Sequence, residues 1–96
     1  MTQSAPQPLL IFFTSTTNGH CRRAEGYLAQ VLQRRRNHET FAVYRVAQEE
    51  RRDLLERFRI EAVPTICVVE GKRLAARLET PRGCRDIERF LAPWLH

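Results

Sequence analysis

Pro8-Leu9-Leu10-Ile11-Phe12-Phe13-Thr14-Ser15-Thr16-Thr17-Asn18-Gly19-His20-Cys21-Arg22 is the stretch whose reading decides the fold. Up to Phe13 it is apolar without alternation, the pattern of a central strand covered on both faces. A polar run of Thr and Ser ends that strand. Asn18-Gly19 then opens a helix, with Asn18 as its N-cap. Ala24, Leu28, Val31 and Leu32 recur at helical spacing, and Arg, Glu and Gln take the other faces. Arg34-Arg35-Arg36 is expected to end this helix, where positive charge complements the carbonyl end of the dipole.

Downstream, Phe41-Ala42-Val43-Tyr44-Arg45-Val46 is rich in β-formers and predicts a second strand. An acidic start at Glu49-Glu50 leads into a short helix carrying Leu54, Leu55 and Phe58. Strand, helix, strand in this order implies a right-handed parallel crossover. Thr65-Ile66-Cys67-Val68-Val69 and Arg73-Leu74-Ala75-Ala76-Arg77-Leu78 flank Glu70-Gly71-Lys72, which predicts an antiparallel hairpin with Leu74, Ala76 and Leu78 on one face. Thr80-Pro81 reads as an N-cap and first helical position. The helix it opens carries Ile87, Phe90, Leu91, Trp94 and Leu95 as an apolar stripe. The chain is therefore an α/β protein of order β-α-β-α-β-β-α.

Length and composition agree with that reading. Ninety-six residues, 43% apolar and 28% charged, support one core and not two. The expected division is a disordered or frayed beginning over residues 1–8 and a single domain over residues 9–96. Three cysteines, Cys21, Cys67 and Cys84, are too few and odd in number for a secreted disulfide scaffold. The run Leu9 to Phe13 is too short for a signal peptide's apolar region or a membrane span, so the expected location is cytoplasmic.

The net charge is +5, yet seven acidic residues, Glu25, Glu49, Glu50, Asp53, Glu56, Glu61 and Glu88, are interspersed with the arginines. Single-strand binding surfaces combine a basic track with exposed aromatics, and here most aromatics take core-facing positions. No nucleic-acid partner is expected. No membrane partner is expected either, because no strongly basic helix has a wide apolar face.

Two short features bear on function. Thr17-Asn18-Gly19-His20-Cys21-Arg22 lies at a strand-to-helix junction, and Val63-Pro64-Thr65 opens the hairpin. Together they resemble the thioredoxin-like family, in which a W-C-G-P-C-K type motif follows the first core strand. A cis-proline, preceded by Ile or Val and followed by Thr, faces it across a groove. The resemblance runs from Leu9 to Leu95 and includes Phe58-Arg59-Ile60-Glu61-Ala62-Val63-Pro64-Thr65. It implies a minimal thioredoxin-like fold, a four-stranded mixed sheet flanked by three helices.

The departure from the family is at position 18. The resemblance puts Asn18 where the attacking cysteine belongs and Cys21 on the second cysteine, so C-x-x-C becomes N-x-x-C. In dithiol exchange the first cysteine attacks and the second resolves the mixed disulfide. The family's buried acid falls on Phe12, its partner lysine on Arg45, the preceding tryptophan on Thr17 and a groove glycine on Thr80. The implied binding residues are Thr17, Gly19, His20, Val63, Pro64 and Thr80.

Cys21 has two readings. At the third helical position, free N–H groups and the dipole favour a thiolate, while burial against Phe12 or Phe13 raises the pKa and hides the sulfur. Asn18 is explained as an N-cap without any chemical role. Cys67 reads as a core residue and Cys84 as an exposed, oxidisable one. His20 beside Cys21 is no metal site, since zinc needs three or four convergent ligands and adjacent helical residues diverge. No metal or other cofactor is expected.

The functional expectation is a divergent thioredoxin-like protein acting through Cys21 as a monothiol redox or thiol-dependent binding protein. Its partner would be a protein or peptide thiol in the cis-proline groove. An enzyme of this kind would be a thiol-disulfide oxidoreductase with an atypical single-cysteine site. The alternatives are a non-catalytic protein-interaction module and, more weakly, an oxidoreductase with an unusual cysteine pair.

Overall fold

The computed structural model describes residues 7–95. Of the expected frayed segment, residues 1–6 lie outside the described residues. Gln7 and Pro8 are tied to the chain ahead of the second strand: the Gln7 amide donates to the Glu39 carbonyl, and Ala42 N–H donates to the Pro8 carbonyl at 3.0 Å.

Strand β1, Leu9–Thr14, leads into helix α1, Gly19–Gln33. Strand β2, Ala42–Ala47, and helix α2, Arg52–Arg57, follow. The hairpin β3, Thr65–Glu70, and β4, Arg73–Glu79, precedes helix α3, Cys84–Leu91. The sheet order is β2-β1-β3-β4, with β1 parallel to β2 and the other pairs antiparallel. This is the four-stranded mixed sheet with three helices that the pattern predicts.

The unalternating run of β1 is explained by its place. Leu10 and Phe12 face one core layer with Ile66, Val68, α1 residues Ala24, Leu28, Val31 and Leu32, and α3 residues Ile87 and Leu91. Ile11 and Phe13 face the other layer with Val46, Cys67 and Val69, against which Leu54, Leu55 and Phe58 of the α2 region pack. A strand with both faces dry has no position left for a polar side chain.

Three local expectations are corrected. The arginine run does not supply the last turn of α1, which ends at Gln33; a 3₁₀ turn over Arg34–Glu39 follows. Arg34 instead pairs with Glu88, joining the end of α1 to α3. Leu74 does not share a face with Ala76 and Leu78. A register shift between Val68 and Val69 pairs Val68 with Ala76 but Val69 with Leu74, which leaves one extra residue in β4. Side-chain direction alternates with period 2, so the extra residue moves Leu74 to the α2 face.

Thr80 is not the N-cap of α3. It has φ of 43°, its N–H donates to the Pro64 carbonyl at 2.7 Å, and the helix starts three residues beyond Pro81 after Gly83. An N-cap needs extended backbone with its side chain free to reach the first turn, whereas Thr80 is held in the left-handed region by its bond to Pro64. Within the hairpin turn, Gly71 has φ of 63°, where a residue without Cβ is unstrained.

Candidate functional site

The junction between β1 and α1 is built by side-chain caps. Asn18 is extended, and its side-chain oxygen accepts from His20 N–H at 2.8 Å, satisfying a donor that the helix leaves unpaired. The residues ahead of it are pinned from the far side of the sheet's edge. Glu49 accepts from the Ser15 hydroxyl and from Thr16 N–H, and Ser15 and Thr17 share a hydroxyl contact at 3.2 Å. The Ser15 hydrogen bond, aided by backbone N–H groups, holds the Glu49 carboxyl below its ordinary pKa of 4.5. Ser15 and Glu49 are absent from the sequence prediction, and a seryl hydroxyl in a polar run carries no signal for so distant a partner.

Cys21 is the third residue of α1 and is fully buried, with 0% of its surface exposed. Its position at 3.6 residues per turn points it inward with Ala24 and Leu28, so the periodicity that builds the core also hides the thiol. Cys67 is equally buried on β3. Burial pushes its pKa up, partly opposed by the Arg77 guanidinium on the paired strand. Arg77 also donates to the carbonyls of Phe58 and Arg59, which anchors the end of α2 to the hairpin.

Cys84 is half-buried, not fully exposed as expected, and its thiol donates to Gln30 Oε1 at 3.0 Å. Nine residues of α1 separate Gln30 from Cys21, which is roughly 13 Å along the helix axis. A disulfide needs Cα atoms within about 7 Å. All three cysteines are free.

Position 12 is Phe12, buried and paired in register with Arg45 of β2, and Arg45 forms an ion pair with Glu25 of α1 at 3.2 Å. The place at which the resemblance put a proton-transferring acid is thus occupied by hydrocarbon.

The site residues named from the sequence divide into two places. His20, Val63, Pro64 and Thr80 line one groove of about 390 Å³, together with Arg23, Tyr27, Pro81 and Arg82. Asn18 lines a separate polar depression with Arg22, Glu25 and Arg45. Thr17 and Gly19 are exposed beside these and line neither. The Val63–Pro64 bond is cis. Among the described residues, none hydrogen-bonds the N–H or C=O of Val63, although Pro64 and Ala62 both use their carbonyls. Val63 lies two residues ahead of β3, so its free groups stand just beyond the part of that strand that β1 and β4 pair.

Arg23 and Tyr27 lie three and seven residues beyond His20, on its face of α1, and that spacing was available in the sequence. The Arg23 guanidinium lies 2.9 Å from His20 Nδ1. Arg82 lies in the segment ahead of α3, where the Thr80-Pro81 pattern predicts the helix itself. Among the described residues, no group of three or more His, Cys, Asp or Glu side chains is placed to hold a metal, and no helix is long and apolar enough to cross a membrane.

The sheet order, the crossover from β1 to β2 and the groove between the start of α1 and the turn before β3 define a thioredoxin fold. The chain belongs to the thioredoxin family, whose sequence model, described as Thioredoxin, matches residues 2–93. Solved structures agree at the level of fold. Deadhead, a germline-specific thioredoxin of Drosophila melanogaster, superposes with a TM-score of 0.79 at 17% identity, covering 93% of this chain and 82% of its own. Mitochondrial thioredoxin 3 of Saccharomyces cerevisiae gives 0.77 at 17% identity, over 91% of this chain and 78% of its own. Desulfothioredoxin of Desulfovibrio vulgaris Hildenborough gives 0.78 at 22% identity, over 92% and 82%. No curated protein matches the chain.

Proposed function

We propose that this thioredoxin-fold protein is a non-catalytic binding module that takes an extended polypeptide segment along Val63, in the groove between α1 and the turn ahead of β3. One observation carries the reading: Cys21 is fully buried, while Val63 lines the groove and its backbone groups are unpaired. An extended chain placed there gains main-chain hydrogen bonds as an added strand does, with side-chain pockets supplying selectivity. Asn18 stands where the family carries its attacking cysteine, and a carboxamide cannot open a disulfide. On this reading Asn18 acts by capping α1, and Cys21 by filling the core beneath it.

Reduced, carboxymethylated α-lactalbumin tests this directly, because it is unfolded and its thiols are blocked. Added to ¹⁵N-labelled protein, it is expected to shift the amide resonances of His20, Val63 and Thr80, equally in the parent and in Cys21→Ser. Val63→Glu, which puts a charge at the pairing position, is expected to lose those shifts. Shifts that depend on Cys21, or none at all, would overturn the proposal.

One observation favours a second reading, a monothiol redox protein. Cys21 occupies the first turn of α1, where unpaired N–H groups stabilise a thiolate once the sulfur is reached. In that chemistry the Cys21 thiolate attacks oxidised glutathione, forms a mixed disulfide and releases one glutathione thiolate. A glutathione adduct on the native protein that Cys21→Ser abolishes would establish it in place of the binding module.

A further inference from the structure

The lining of the Val63 groove is one-sided in charge. Arg23 and Arg82 both line it, one on α1 and the other between Pro81 and α3, with His20 bonded to Arg23. Among the described residues no carboxylate lines it. The ion pairs formed by described residues lie elsewhere, using Arg34, His38, Arg45, Arg51 and Arg73. Asp86, four residues beyond Arg82, turns its carboxylate to the Arg82 backbone N–H at 2.9 Å and leaves the guanidinium unengaged. Arg23 hydrogen-bonds only His20 among the described residues, and a ring nitrogen does not neutralise a guanidinium. The rest of the lining is Val63, Pro64, Pro81 and Tyr27, largely apolar, with Thr80.

We infer that the segment this groove takes is an acidic peptide, with carboxylate side chains flanking an apolar residue that rests on Val63 and Pro64. This rests on the binding reading above and names its ligand class. In an extended chain neighbouring side chains point to opposite sides, so an apolar residue laid on Val63 and Pro64 turns the acids on either side of it, about 7 Å apart, away from that contact and toward the rim. Guanidinium forks bind carboxylates with paired N–H donors, and their placement at the rim steers anionic chains in and repels basic ones.

Three short capped peptides of one length test it. They share an alternating Val-Thr centre and carry two Glu, two Gln or two Lys at the flanking positions. Fluorescence anisotropy with the full chain is expected to rank Glu above Gln above Lys. Two exposed pairs at about 0.5 kcal/mol each give about a fivefold preference for Glu over Gln. The preference should collapse at high salt, and in Arg23→Glu/Arg82→Glu the order should reverse. Both side chains are exposed, so folding is preserved in the variant, and an unchanged circular dichroism melt checks this. Equal binding of the three peptides overturns the acidic specificity and leaves the groove as a binding site. Binding by none of them overturns the groove itself.

Discussion

At the scale of single residues, Asn18 and Cys21 are separated by two positions and by opposite surroundings. Asn18 caps α1 through a 2.8 Å bond to His20 N–H, so Asn18→Ala should destabilise the protein by about 1 kcal/mol, read from urea unfolding. Cys21 is fully buried. Cys21→Ser should cost about 1 to 3 kcal/mol by burying a hydroxyl, and more than Cys21→Ala if the sulfur is packing material. A serine variant as stable as the parent would mean that the thiol meets water. Glu49 supplies a pH dependence. Its folded pKa is depressed, so its stabilisation is complete above the unfolded value of 4.5 and is lost as pH falls through the lower folded value. Glu49→Gln should therefore lower stability near neutral pH and converge with the parent in acid. Parallel pH profiles would sink that assignment.

Elements show how unequal the tethers between them are. Arg34 and Glu88 join α1 to α3, but the pair is largely exposed, and such pairs contribute about 0 to 1 kcal/mol. Leu28, from the same helix, is buried in the main core, where Leu→Ala costs about 2 to 5 kcal/mol. Chemical denaturation of Arg34→Ala and Leu28→Ala should thus differ severalfold, with the buried leucine dominating. At this scale much was readable from the chain: the dry run of β1, the α1 stripe and the hairpin each carry a periodicity that burial imposes. The slips have local causes. A bulge leaves no trace in a count of alternating residues, so Leu74 was placed on the wrong face. The Thr80-Pro81 pair has the chemistry of a helix start, yet the Pro64 carbonyl, sixteen residues earlier in the chain, claims its N–H.

For the whole molecule, the consequence is a thioredoxin-family chain whose buried thiol and open groove are not the same place. Insulin reduction by dithiothreitol in its presence should proceed no faster than with dithiothreitol alone. Cys84 bonds Gln30, roughly 13 Å along α1 from Cys21, and burial pushes the Cys67 pKa up. A rate above that baseline would show that the cysteines act together after all. The binding and acidic-peptide proposals also live at this scale, since His20, Val63 and Arg82 come from three separate parts of the chain.

The amino-acid sequence by itself determined the order of elements, the central place of β1, the cap at Asn18 and the resemblance at Val63-Pro64-Thr65. These follow from hydrophobic period and local backbone chemistry, which act over a few residues. Only the tertiary structure decided which named residues share a groove, that Cys21 has no exposed surface, and that Arg23 and Arg82 line one groove with no carboxylate among its described lining. Those facts depend on how α1 and the segment before α3 pack around the turn ahead of β3. Burial and charge pairing are set by neighbours in space, and a linear chain does not display them.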